Sequence, residues 1–317
     1  MSTTNTSTRT RTITAAGRRS LVQELTYNRL YYLMVLPGIA FLFIYEYIPM
    51  YGLVMAFQDF NPGLGFTRSP WVGLENYRFV FQLPAVARVF RNTIIISVAK
   101  IVLRQIAAIT FAVLLNEMRI RILKRSIQTI SYLPHFLSWV ILGGAFVSLL
   151  SRNGPVNQLI SAIGIDPIFF LGSNRWFRPT IIATDVWQTF GFGSIVYLAA
   201  LTSIDPGLYE SAVIDGANRF QQIVRITIPG IATTIVLLTV LSLGQILSAG
   251  FEQILVLYNP AVYETGDVID TWIYRFGLQQ ARYSLATAVG LFRSVIGCTL
   301  VLVSNGLARK YADYQVF

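Results

Sequence analysis

This chain carries little charge for its length. Of its 317 residues only 13% are Asp, Glu, Lys or Arg, against 54% hydrophobic. Soluble domains average about 25% charged residues, so the deficit argues against water as the main solvent of the fold. Cysteine is nearly absent. Cys298 stands alone, which excludes an intramolecular disulfide and leaves no cysteine-based zinc or redox chemistry. A lone Cys in an apolar span is expected to behave as a small hydrophobe. His135 is the sole histidine, so no histidine pair can hold a metal or relay protons, and no hydrolytic constellation can be assembled. It follows Pro134, which frees a helix carbonyl. A packed structural role is expected for it, with a ligand contact as the alternative. The lysines are Lys100, Lys124 and Lys310, and none has the preceding Gly and following Ser or Thr of a phosphate-cradling loop. ATP that serves this chain must be hydrolysed on another one. Residues 1–20 are rich in Ser, Thr and Arg and lack the apolar core of a secretory signal. Their composition predicts disorder. No internal repeat or inverted duplication is visible, so the signature of secondary transporters is missing.

What the chain does have is apolar stretches near the ~20 residues needed to cross hydrocarbon. They fall at 31–57, 92–115, 127–150, 179–201, 229–249 and 284–304. The expected fold is an all-α integral membrane protein with six transmembrane helices and both termini on one side. The tract Arg119, Arg121, Lys124, Arg125 is densely basic and places that side in the cytoplasm. The expected organisation is a cytoplasmic tail at 1–29, a transmembrane domain at 30–310 and a second tail at 311–317. The net charge of +10 is spread along membrane flanks and does not suggest nucleic acid as a partner. Pro37, Glu46 and Pro49 predict a kinked or unwound first span. The segments 58–91, 150–179 and 251–283 are expected outside, too short for binding domains but able to receive a carrier protein. In the last span Ala286, Gly290, Ser294 and Gly297 place small residues along one face, a pattern for close helix packing.

One polar break stands out between these spans, at Glu210-Ser211-Ala212-Val213-Ile214-Asp215-Gly216-Ala217 with Pro229 beyond it. Asp205 suits a helix N-cap and Pro206 the first turn. Glu210 in the first turns complements the helix dipole. Gly216 lets the backbone reverse, and Ser211, Ala212 and Ala217 are small enough to sit close in a groove. From spacing alone this is either a capped cytoplasmic loop or a helix–turn–helix presented to a soluble partner.

The same residues resemble the EAA loop of binding-protein-dependent ABC importer permeases, with Ser211 in place of the first alanine. Further stretches are similar to the oligosaccharide subgroup that includes alginate- and aldouronate-importer permeases. These are Tyr47–Gly52, Ser69–Leu74, Tyr132–Trp139 and Tyr258–Tyr263. The resemblance runs roughly from Leu30 to Lys310. It implies the type I, MetI-like permease fold, with a coupling loop at about 203–228 that docks into a cleft on an ATPase. Glu210, Ser211, Ala212, Asp215, Gly216, Ala217 and Arg219 would form that contact. Arg219 and Arg225 would pair with acidic residues of the ATPase or meet lipid phosphates. The implied partners are a homodimeric ABC ATPase holding ATP and Mg, a second, paralogous permease, a solute-binding protein and the bilayer of the bacterial cytoplasmic membrane. The chain itself would bind no cofactor and perform no catalysis.

Charges inside spans are costly and face a cavity or a partner. Lys100 and Arg104 share a face of span two, Arg293 falls in span six, and Glu46 and Asp185 are available as partners. Two roles follow, internal ion pairing or a basic lining for an acidic sugar. Trp187, Gln188 and Gly191 in span four and Gln245 and Ser248 in span five are the residue types that a wet sugar pathway needs. The competing functions are an ion-gradient transporter, which would need Glu46 or Asp185 as a relay, and a membrane scaffold or sensor that moves no substrate.

Overall fold

The structure is a computed structural model that describes residues 27–312. The expected disordered start and the ends of both tails, at 1–26 and 313–317, lie outside the described residues. The chain divides into two units, one ending at Leu53 and the other beginning at Val54. In the first, α1 (Arg29–Leu42) runs into a π-turn at Phe43–Tyr47 and a short helix at Ile48–Met50. The expected irregularity of span one is therefore present, at Glu46 and Pro49. A proline ring excludes the carbonyl four residues back, here Tyr45, and a π-turn accommodates the displaced group. Pro37 remains inside α1.

In the second unit the main helices are α2 (Pro84–Glu117), α3 (Arg121–Tyr132), α4 (Trp139–Leu149), α5 (Asn174–Leu201), α6 (Pro206–Ile214), α7 (Ala232–Leu243), α8 (Phe251–Leu257) and α9 (Tyr283–Ala312). Among the described residues, β pairing is limited to one bridge between Gln58 and Trp71. The all-helical class is borne out. α2 and α5 form the central pair. Ala108 and Ala112 of α2 lie in one buried cluster with Tyr197 and Leu201 of α5 and with Ile231, where small residues let backbones approach. The hydroxyls of Thr180, Thr184 and Thr189 bond carbonyls four residues back within α5, so these polar groups need no water.

Among the described residues three helices, Arg29–Phe57, Pro84–Glu117 and Tyr283–Val303, are long and apolar enough to cross a membrane, and bent pairs raise this to five. The third expected span breaks at Leu133–Phe136, where α3 and α4 meet at 104°. Pro134 disrupts the helix, Ser138 caps α4, and Gln188 Nε2 donates to the exposed carbonyl of Leu137 at 3.1 Å. The fifth is bent by 57° at Ile231, and its helix ends at Leu243 rather than 249. Residues 244–247 form turns, with Ser248 N bonding Gln245 O at 2.8 Å. α5 covers the fourth span, but its polar residues keep it out of the apolar set.

The segment 251–283, expected outside, has a buried core of its own. Gln253, Ile254, Val262, Val268, Thr271 and Trp272 are all inaccessible. Its backbone is satisfied by side chains of the central pair. Asn92 Nδ2 donates to Glu264 O and Asp267 O at 3.0 Å each, Thr93 Oγ1 accepts from Ile269 N at 2.9 Å, and Arg178 Nε reaches Thr265 O at 2.9 Å. Short helices with interspersed acids read as a loop in sequence, yet these bonds let them pack as core. The small-residue face of α9 is half used. Ala286 is buried and Gly290 approaches Ile273, whereas Ser294 is exposed and Gly297 faces open space.

Gly191 has a packing role. A Cβ there would lie 2.1 Å from the carbonyl oxygen of Ser131. Gly191→Ala should therefore push α5 off α3 and destabilise the protein by about 1–3 kcal/mol, the usual cost of overpacking. A lowered melting temperature of the solubilised protein is the expected result, and an unchanged one would refute the close approach.

Candidate functional site

The helix–turn–helix expected to couple to an ATPase is built from local rules. Asp205 Oδ1 accepts from Gly207 N at 2.9 Å, and Pro206 occupies the first helical position of α6, as expected. Glu210 is the fifth residue of α6, so it lies past the first turn where the dipole acts. This corrects the expected electrostatic role; its carboxylate is simply exposed. Asp215 closes the helix and Gly216 takes φ +78°. Ala217 N bonds Ala212 O at 2.9 Å and Gly216 N bonds Val213 O at 3.1 Å, the pairing of a Schellman stop. Asn218 then caps the next turn. Its Oδ1 accepts from Gln221 N at 2.9 Å while Gln221 Oε1 accepts from Asn218 N at 2.8 Å. This capping box is legible as Asn-x-x-Gln. Tyr209 Oη and Thr227 Oγ1, 3.0 Å apart, tie the two arms together. A π-turn at Ile223–Thr227 precedes Pro229 just as another precedes Pro49. Ser211 Oγ is turned back onto Gly207 O at 2.9 Å.

The outward face of this element is apolar. Leu208, Val213, Ile214 and Phe220 are exposed, Ile214 at 86%. Isolated apolar residues are common on surfaces, but a cluster around a rigid turn marks an interaction site. Arg219, expected to seek an ATPase or lipid, has a partner in its own chain, Glu117 at 3.6 Å at the inner end of α2. Both side chains are substantially exposed, so the pair contributes little to stability.

The cations Lys100, Arg104 and Arg293 are paired, whereas Glu46, offered as a partner, is exposed and has no ion pair among the described residues. Lys100 is buried and lies 3.1 Å from Asp185, with further bonds to Ala249 O at 2.7 Å and to Gln253 Oε1. Arg104 grips both oxygens of Asp185 through Nε and Nη2. Asp185 was an expected partner. Arg293 pairs instead with Asp270, a residue placed in an outer loop by sequence. These contacts realise the ion-pairing alternative.

The expected pathway residues do not form one site. A cavity of about 240 Å³ is lined by Arg104, Gln105, Thr189, Ser242 and Gln245 among others. It unites Arg104 and Gln245. Trp187 lines a separate, almost wholly apolar groove between α2 and α5 with Leu103, Phe111 and Phe190. Gln188 mends the break at Leu137, Ser248 is exposed, and Lys100 and Arg293 are held in ion pairs. His135 stacks on Phe192 with centroids 4.1 Å apart, in keeping with a packed role. Sequence reasoning missed Gln105, Asp270 and Gln253. Gln253 also donates to Ile181 O at 2.7 Å and Thr184 Oγ1 at 2.8 Å. Gly250 just before it, with φ +88°, was its available signal. Among the described residues no three His, Cys, Asp or Glu side chains converge as a metal site.

A multi-helix membrane protein with two broken spans, a cavity holding Arg104, Gln105 and Gln245, and an exposed apolar helix–turn–helix has the build of a transport permease. Residues 101–311 match the family of binding-protein-dependent transport system inner membrane components, and the chain belongs to that family. It is 40% identical over 301 residues to the polygalacturonan/rhamnogalacturonan transport system permease protein YteP of Bacillus subtilis (strain 168), covering 95% of this chain and 94% of that one. It is also similar to a chain in the crystal structure of a bacterial ABC transporter involved in the import of the acidic polysaccharide alginate. The identity is 44%, the TM-score 0.85, and the match covers 92% of this chain and 99% of that chain. A structure of bacterial alginate ABC transporter in complex with alginate pentasaccharide-bound periplasmic protein matches at 42% identity and TM-score 0.86, over 94% of this chain and 100% of that one. These relatives handle carbohydrates, which bears out the family recognised from the Glu210 loop.

Proposed function

We propose that this chain is one of two permease subunits of a type I ABC importer for acidic oligosaccharides. The observation that carries the proposal is the capped, Schellman-terminated helix–turn–helix at 206–230, which holds an apolar face outward on a rigid turn. Such an element fits helix-in-groove docking on a soluble partner. That partner would be a homodimeric ATPase holding ATP and Mg, contacted through the loop at about 203–228. Glu210, Ala212, Gly216 and Ala217 belong to the docking surface. Six spans with both termini cytoplasmic agree with the basic tract Arg119–Arg125 lying on the side of the loop. A solute-binding protein delivers the sugar outside, closure of the ATPase pair opens the pathway outward, and hydrolysis resets it. The alginate importers at 42–44% identity support a uronate-type cargo and a solute-binding protein.

A tagged chain solubilised in mild detergent from its native membranes should co-purify with an ATPase and a second permease. Recovery of the folded chain alone would argue for a scaffold or a gradient-driven transporter.

A further inference from the structure

Lys100, Arg104 and Asp185 bring two cations and one carboxylate into one site at the middle of α2 and α5. The cluster holds one positive charge that Asp185 does not cancel. The two cations carry it differently. Lys100 is 2% exposed, and its three ammonium protons are matched by Asp185, Ala249 O and Gln253 Oε1. A Cβ at Gly250 would come within 3.0 Å of its Nζ, so no room remains for a ligand. Arg104 has a side chain 38% exposed and lines the 240 Å³ cavity. It spends Nε and Nη2 on Asp185, and its Nη1 has no hydrogen-bond partner among the described residues.

Removing one partner of a buried ion pair strands the other charge, which is strongly unfavourable. Here Lys100 prevents that. If Arg104 turns from Asp185 toward the cavity, Lys100 still lies 3.1 Å from the carboxylate and neutralises it. An incoming carboxylate can take the same planar fork. Thr189, Ser242 and Gln245 on the cavity wall supply partners for sugar hydroxyls. The cavity is smaller than the ~300–1,000 Å³ of sites for drug-sized ligands, so it suits one sugar unit at a time.

We propose that Arg104 is the specificity-determining residue of the pathway, exchanging Asp185 for the carboxylate of a passing uronate unit. Lys100 is a positioning residue that keeps Asp185 compensated and so frees Arg104. This rests on the proposed importer of acidic oligosaccharides.

The test uses the assembled importer in detergent without its solute-binding protein, so that carrier selectivity plays no part. The probes are trigalacturonate and its carboxyl-reduced counterpart, galactotriose, measured by equilibrium binding at several salt concentrations. The intact complex should bind trigalacturonate more tightly, with the preference shrinking as salt rises. Arg104→Gln should lower trigalacturonate affinity by about 10- to 100-fold, the range of a charge-assisted contact, and leave galactotriose unchanged. Arg104→Lys should restore part of the loss. Lys100→Met should reduce the same preference by locking Arg104 to Asp185, although Lys100 does not reach the cavity. Assembly with the ATPase serves as the folding control. An assembled Arg104→Gln complex with undiminished trigalacturonate preference would overturn the inference while leaving the importer standing. An intact complex that assembles with its ATPase but prefers galactotriose would overturn both the inference and the acidic cargo. A chain that assembles with no ATPase would overturn the importer itself.

Discussion

Gly216→Pro is expected to abolish sugar-stimulated ATP turnover in the assembled importer while leaving the chain inserted in the membrane. Gly216 has φ +78°, and proline is fixed near −65°. The substitution also deletes the N–H that bonds Val213 O at 3.1 Å. The Schellman stop is lost, and Ala217 no longer returns to Ala212. Val213, Ile214 and Phe220, exposed on either side of the turn, then leave their common face. Misdocking worth about 1.4 kcal/mol suffices for a tenfold loss, and a displaced turn costs more. Gly216→Asn is the control, since asparagine tolerates the left-handed region and should retain most activity. Stimulated turnover in reconstituted vesicles is the measurement. Full turnover in the proline variant would mean that the loop does not couple.

The largest stability effect should come from Asp185→Ala. Asp185 is 2% exposed and is the acceptor for both Lys100 and Arg104. Its loss leaves two cations facing each other within the membrane span. Breaking a buried pair costs about 3–5 kcal/mol, and like-charge repulsion adds to it. Little folded protein should survive in the membrane, and what survives should melt far lower in detergent. Lys100→Met in the same chain removes one of the stranded charges and should recover part of the loss. Normal accumulation and melting of the single variant would falsify the central role given to the cluster.

The fold class and the coupling loop were legible in sequence because both depend on local chemistry. Apolar runs of span length, Asp205-Pro206, and Gly216 after a helical run need no tertiary information. The failures share a cause. Span three was read through Pro134 and span five through Gly244 because hydropathy averages over breaks. Those breaks are stabilised by Gln188 and Lys100, which lie far away in sequence. The buried core of 251–283 was hidden because its acids and short helices count as polar. Asn92, Thr93 and Arg178, which satisfy its backbone, belong to other helices. The charge cluster was half legible. Residue spacing placed Lys100 and Arg104 on one face and offered Asp185, but nothing local separated a saturated lysine from an arginine with a free nitrogen. The partner of Arg293 was hidden for the same reason, since Asp270 lies in the segment 251–283.

α2 has a mechanical consequence. It is a single helix of 34 residues, about 51 Å long. Its C-terminal end meets the loop through Glu117 and Arg219, and Ala108 and Ala112 pack with Ile231 just beyond that loop. Lys100 ties the middle of the helix to α5 and to residues 249–253. Glu117 lies about 26 Å along the axis from it and Arg104 about 6 Å, at 1.5 Å per residue. One unbroken rod therefore joins the charge cluster to the loop.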